Sequence, residues 1–162
     1  MAIWQDTSGA LWDDMNGECL NIPGWKTGKT ELTAAQAQAL QYPAPTLPQV
    51  QASQSTLMAA SCQSAIEAGF GSSALGTANT YGCKATDQAN INLAAISGGS
   101  LWCMSSSGVW ALTAHTTAQA QQVQKDMVTH IQAQQSTYAK ALSDIAAATT
   151  VAAVEAVTWT NP

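Results

Sequence analysis

The segment Gly24-Trp25-Lys26-Thr27-Gly28-Lys29-Thr30 ends like a phosphate-binding loop, in which backbone amides and a lysine converge on phosphate oxygens. Its spacing is one residue short. The pattern G-x-x-x-x-G-K-[ST] needs glycine at position 23, where Pro23 stands, and a shortened loop cannot close the ring of amides. The segment reads as a surface turn. His115 and His130 lie too far apart for a helical metal pair, which requires a spacing of three or four residues. His115 falls just before a long helical pattern, and His130 reads as a hydrogen-bonded imidazole at the edge of a core. Asp13 and Asp14 are neighbours beside a strand, so their carboxylates point to opposite faces and do not converge for glycosidase chemistry. The stretch Asp13-Asp14-Met15-Asn16-Gly17 also lacks the alternating oxygen ligands of a calcium loop. Cys19, Cys62, Cys83 and Cys103 contain no C-x-x-C pair, so they read as reduced, partly buried thiols. No catalytic, cofactor or metal site emerges, and an enzyme is not expected.

The elements that would position any site come from a chain of 162 residues, enough for one ordinary core. Charged residues make up 9%, against about 25% in typical globular domains, so Gln, Thr, Ser and Asn must supply the polar surface. Such groups hydrogen-bond without the cost of burying an unpaired charge, which suits a protein packed among other subunits. There is no arginine, and five lysines face ten acids, which excludes a basic face for nucleic acid. The apolar stretch from Ile145 to Trp159 is broken by Thr149, Thr150 and Glu155 and is too short to span a membrane. The opening Met1 to Asp6 lacks the features of a secretory signal, so a chain made and kept in a cytoplasm is the expectation.

Two β-hairpins are predicted, at Ile3–Trp12 and at Leu101–Trp110, each with a Ser-Gly turn bracketed by tryptophans eight residues apart. Trp4, Trp12, Trp102 and Trp110 read first as anchors onto a core and second as a sugar-binding platform. Thr33 with Gln36 has capping-box form and predicts a helix to about Gln41. Residues 42–48, Tyr42-Pro43-Ala44-Pro45-Thr46-Leu47-Pro48, must be extended and form a linker. Helices are expected from Gln49 to Ala68, stopped at Gly69, and from Thr86-Asp87 through Ile96, stopped at Gly98-Gly99; residues 70–76 read as a loop. The longest helix should run from Thr116-Thr117 to about Ala148, a rod of roughly 45 Å. Ile131, Tyr138 and Ile145 share one heptad position, and Ala120, Met127, Gln134, Ala141 and Ala148 share the other, with Val128 and Leu142 widening the stripe. So wide a stripe favours packing within the domain, with self-association along the helix as the alternative. The expected fold is mainly α with two short β-hairpins (α+β): residues 1–41 a hairpin module with a short helix, 42–48 the linker, and 49–162 a helical domain.

Several stretches resemble a family of small tailed-phage proteins that end in a domain of unknown function also found in phage tail-fibre proteins. Trp4-Gln5-Asp6 through Gly9-Ala10-Leu11-Trp12-Asp13-Asp14 is similar to that family's leader, and Pro43-Ala44-Pro45-Thr46-Leu47 to its linker. Ala68-Gly69-Phe70-Gly71-Ser72-Ser73-Ala74-Leu75-Gly76, then Tyr81 and Asp87-Gln88-Ala89-Asn90, resemble the domain's core signature. Leu101-Trp102-Cys103, Trp110, His115-Thr116 and Val151–Val157 continue the likeness over most of residues 50–159. The resemblance implies a virion role in the tail, with other phage tail proteins or further copies of the chain as partners, and it carries over no active-site residue. A fibre-assembly chaperone and a receptor-binding, lectin-like fibre module are the alternatives it leaves open.

Overall fold

The computed structural model describes residues 2–162, which divide into two units, the first ending at Pro45 and the second spanning Thr46–Pro162. The fold is α+β, as the sequence predicts. The boundary falls inside the expected linker, because Thr46 already caps the next helix.

In the first unit, strands β1 (Ile3–Asp6) and β2 (Leu11–Asp13) form the expected hairpin, with Trp4 directly opposite Trp12 and Gly9 at φ +90° in the turn. A third strand, β3 (Lys29–Glu31), pairs with β1 to give the order β2-β1-β3. It lies in a stretch read as loop, since Lys-Thr-Glu has no apolar alternation and its pairing is entirely a matter of backbone. A 3-10 segment spans Met15–Asn21. Helix α1 (Ala34–Gln41) starts at Thr33, whose side chain accepts the Gln36 amide while Gln36 Oε1 accepts the Thr33 amide. This reciprocal cap contributes about 1 kcal/mol.

The second unit opens with α2 (Leu47–Glu67), begun two residues before the expected start because Thr46 and Gln49 supply the cap and Pro48 sits in the first turn. Gly69 ends it at φ +95°, and a Cβ there would collide with the Tyr81 carbonyl oxygen. Residues 70–72, read as part of a loop, instead form β4 (Phe70–Ser72), which pairs with β5 (Asn79–Tyr81), a strand the sequence reading left unassigned; both are too short to signal themselves. Helix α3 (Ala85–Ser97) begins after Lys84, whose amide donates to Asp87 Oδ2 at 3.0 Å, and Gly98 at φ +76° releases the chain. Strands β6 (Gly99–Met104) and β7 (Trp110–His115) complete a four-stranded antiparallel sheet, β4-β5-β6-β7. Helix α4 (Thr117–Ala147) starts where the sequence predicts, with Thr116 and Gln119 forming a reciprocal cap, and a last turn, α5 (Val151–Glu155), is capped by Thr150.

Helix α4 runs antiparallel to α2. His130 Nε2 meets the Ile66 carbonyl at 3.3 Å near one end, and Gln51 Nε2 donates to the Ile145 and Ala148 carbonyls near the other. Its stripe serves two cores. Ala120, Val123 and Met127 pack with Phe70, Tyr81, Leu101, Cys103 and Ile91, while Ala141 and Ile145 pack with Met58 and Val154. Val128, assigned to the stripe by spacing, is exposed. Gln134 lies between the two cores, buried, and its Oε1 has no hydrogen-bond partner among the described residues.

Two outcomes follow for measurement. Brief proteinase K digestion should cut first within residues 40–46, where Leu40 and Tyr42 are exposed, and leave a folded C-terminal fragment; uniform resistance would show that the units share a core. Gln134→Met, which removes the unpaired carbonyl at similar volume, should raise stability to urea by about 1 kcal/mol.

Candidate functional site

Neighbouring positions along a strand face opposite ways, so the four hairpin tryptophans can be placed by parity. In the first unit Trp4, Asp6, Trp12, Lys29 and Glu31 share one sheet face. Trp4 is buried there, edge-on to Trp25 with ring centres 5.6 Å apart. Trp12 is half exposed. The ammonium of Lys29 lies 4.8 Å from the ring centres of both Trp12 and Trp25 and donates to the Trp25 carbonyl oxygen at 2.6 Å. Lys26 sits 5.2 Å from the Trp4 ring. The segment that resembles a phosphate loop is thus a turn whose lysines are occupied by indole faces, each contact contributing about 0.5–1 kcal/mol.

Asp6 organises the tip of this hairpin. Its Oδ1 accepts from the Ser8 hydroxyl and amide and from the Ala10 amide, and its Oδ2 accepts from Trp12 Nε1 at 2.9 Å. The Ser8 hydroxyl and the Trp12 indole, with the amides behind them, lower its pKa to about 2. The Asp-x-Ser-Gly spelling of an Asx turn is the signal that marks it in sequence.

In the second unit the parity is reversed for the tryptophans. Leu101, Cys103 and His115 turn inward onto the core, and Trp102 and Trp110 turn outward. Trp102 pairs with Leu112 and Met104 with Trp110, so the two indoles are diagonal neighbours on one open face, not facing partners. Trp102 is 58% exposed, Trp110 48% and Leu112 58%. Their expected role as core anchors is therefore corrected: the core is filled from the other side of the same strands. The run Leu101-Trp102-Cys103-Met104 is apolar at every position, so its sequence does not say which alternate set is inside. Beside this face a cavity of about 220 Å³ is lined by Gly82, Asp87, Asn90, Ser100, Trp102 and Leu112, among others. Of these only Trp102 is read from the sequence as a candidate contact residue; Asp87 and Asn90 figure there as a helix start and as part of the family likeness.

The remaining predicted contact residues are spent inside the chain. Ile145 is buried in the second core, Tyr138 packs against it, and Ile131 packs against the first. His115 is buried at the end of β7. The Thr113 carbonyl can only accept, so His115 Nδ1 donates to it at 2.8 Å, and Nε2 accepts the Tyr81 hydroxyl at 2.8 Å. Burial, followed by the neighbouring Cys103, pushes the Tyr81 phenol well above its ordinary range. Cys62 and Cys83 line a second groove of about 400 Å³ with Ile66 and Tyr138. Burial raises the pKa of both thiols, the Asp87 charge adding to that of Cys83, which holds them as thiols. Among the described residues no group of His, Cys, Asp and Glu could hold a metal, and no helix is long and apolar enough to cross a membrane.

The family described as Domain of unknown function (DUF4376) is matched over residues 49–158, close to the whole second unit. No curated protein and no solved structure matches the chain.

The depressed Asp6 pKa fixes a pH window. Against an unfolded value of about 3.9, its contribution to the hairpin is fully present above about pH 4 and is lost as pH falls through about 2. Tryptophan fluorescence should report the Trp12 indole leaving Asp6 over that range, and Asp6→Asn should abolish the transition.

Proposed function

The chain belongs to the family of Domain of unknown function (DUF4376), and from that premise we propose that it is a structural protein of a tailed bacteriophage, carried in the tail or its fibres and working through protein–protein contacts. The observation that carries this reading is the open face of β6 and β7. Trp102, Trp110 and Leu112 form an apolar surface that the helices of the unit leave uncovered, the kind of patch that marks an interaction site. Aromatic residues of this type dominate the centres of interfaces.

Two further features support contact over catalysis. Five lysines and ten acids are the whole charge of 162 residues, so little repulsion or desolvation of charge opposes burial against neighbours. The groups that would attract attention as catalysts are already engaged: both ring nitrogens of His115 are hydrogen-bonded, and Lys29 is held by Trp12 and Trp25. A chaperone that cycles free in solution gains from a strongly charged surface, whereas a permanent subunit does not need one.

Quantitative mass spectrometry of purified virions tests the reading. Several copies per particle are expected. Absence from particles, with abundance in lysates of infected cells, would overturn it in favour of an assembly chaperone.

A further inference from the structure

We propose that the cavity where the first turns of α3 meet β6, at the edge of the open face that carries Trp102 and Leu112, is a saccharide site, which takes one pyranose ring of a neutral glycan against the indole of Trp102. The inference goes beyond the structural role above and does not rest on it. A virion protein without sugar affinity would leave that role standing.

The first ground is the pairing of surfaces. A pyranose has an apolar face of C–H groups and a rim of hydroxyls, so it needs a flat apolar wall beside convergent polar atoms. Trp102 and its cross-strand partner Leu112 supply the wall. Asp87 and Asn90, one helical turn apart on α3, and Ser100 on β6 supply the rim. A carboxylate accepts from two vicinal hydroxyls, an amide both donates and accepts, and a hydroxyl does either. An aromatic ring with a few placed polar groups is the usual make-up of a small-molecule site.

Size and charge narrow the ligand. About 220 Å³ is below the roughly 300–1,000 Å³ of sites for drug-sized ligands, so the cavity holds a single ring and leaves the rest of a chain outside. Asp87 is the charged group of the lining, and the chain carries a net charge of −5. Phosphorylated or sulfated ligands are repelled, and a neutral polyol is not.

The polar rim is also held in place before any ligand arrives. Asp87 Oδ2 accepts the Lys84 amide at 3.0 Å, which fixes the carboxylate at the start of α3. Gly82 lies beneath it: a Cβ at that position would come within 2.5 Å of Asp87 Oδ2 and 2.9 Å of its Cγ. Here glycine makes room for a carboxylate instead of relieving a turn. Trp102 and Ser100 alternate on one strand, so their spacing is set by the sheet. Groups placed on regular elements lose little freedom on binding.

The experiment uses the full chain, labelled with ¹⁵N, and follows the tryptophan indole N–H signals by NMR during titration with free glucose, galactose and N-acetylglucosamine. At least one of these sugars should shift the signal that disappears in Trp102→Phe, with a Kd of about 1 mM. Trp102→Ala, followed by the backbone amide signals of Asp87 and Asn90 in the same spectra, and Asn90→Ala, followed by the Trp102 indole, should each weaken that binding by about tenfold or more while keeping the melting temperature of the parent, since both side chains are exposed. Trp12→Phe, in the other unit, should leave it unchanged. The proposal is overturned if none of the three sugars moves the Trp102 signal at about 100 mM, or if affinity survives both Trp102→Ala and Asn90→Ala.

Discussion

A helix of 31 residues with an apolar stripe along one side has to be covered for its whole length, or it exposes more hydrophobic surface than a soluble chain tolerates. In the second unit α4 is that helix, and the placing of the other elements follows from covering it. The sheet and α3 cover its first half through Ala120, Val123 and Met127. The start of α2 and the closing turn α5 cover its second half through Ala141 and Ile145. Because α2 runs antiparallel to it, the chain returns from α2 through a short sheet that must lie at the far end of the pair. That requirement places β4 and β5 where no local signal would put them.

Scarcity of charge changes how these elements are tied together. Among the described residues the ion pair is Lys140–Asp144, exposed and i,i+4 on one helix, which contributes about 0.3–0.5 kcal/mol. Glutamine does the bridging elsewhere. Gln51 reaches the carbonyls at the end of α4, Gln54 the Val157 carbonyl, Gln121 the Ala95 carbonyl, and Gln124 the Asn92 side chain. Each bond satisfies a helix end or a flank without the desolvation that a charged partner would bring. The uncharged polar composition is therefore used inside the unit, to hold helices together.

Two hairpins with the same tryptophan spacing end in different environments. In the first, a three-residue strand and a lysine-bearing turn fold over the indoles, so that Trp4 is buried and Trp12 half covered. In the second, the sheet already has a core on its other face, filled by Leu101, Cys103 and Tyr81, and the indoles remain outside. The same spacing thus yields an internal anchor in one unit and an open surface in the other.

The helices were legible in the sequence because their determinants are local: Thr33 with Gln36 satisfies backbone groups three residues away, and glycines at 69 and 98 stop the turns that precede them, while the Thr46–Gln49 cap, inside the stretch read as linker, was missed. The tip of each hairpin was legible for the same reason. Strands β3, β4 and β5 were not, since three residues of backbone pairing gain their stability only from a partner strand far along the chain. Nor was the fate of the tryptophans. Alternation puts Trp102 with Met104 and Trp110 with Leu112, and the register of the hairpin then brings the two pairs to one face. Which face meets the core is decided by where α3 and α4 land on the sheet, and only the tertiary structure brings Asp87 and Asn90 to the edge of the face left open.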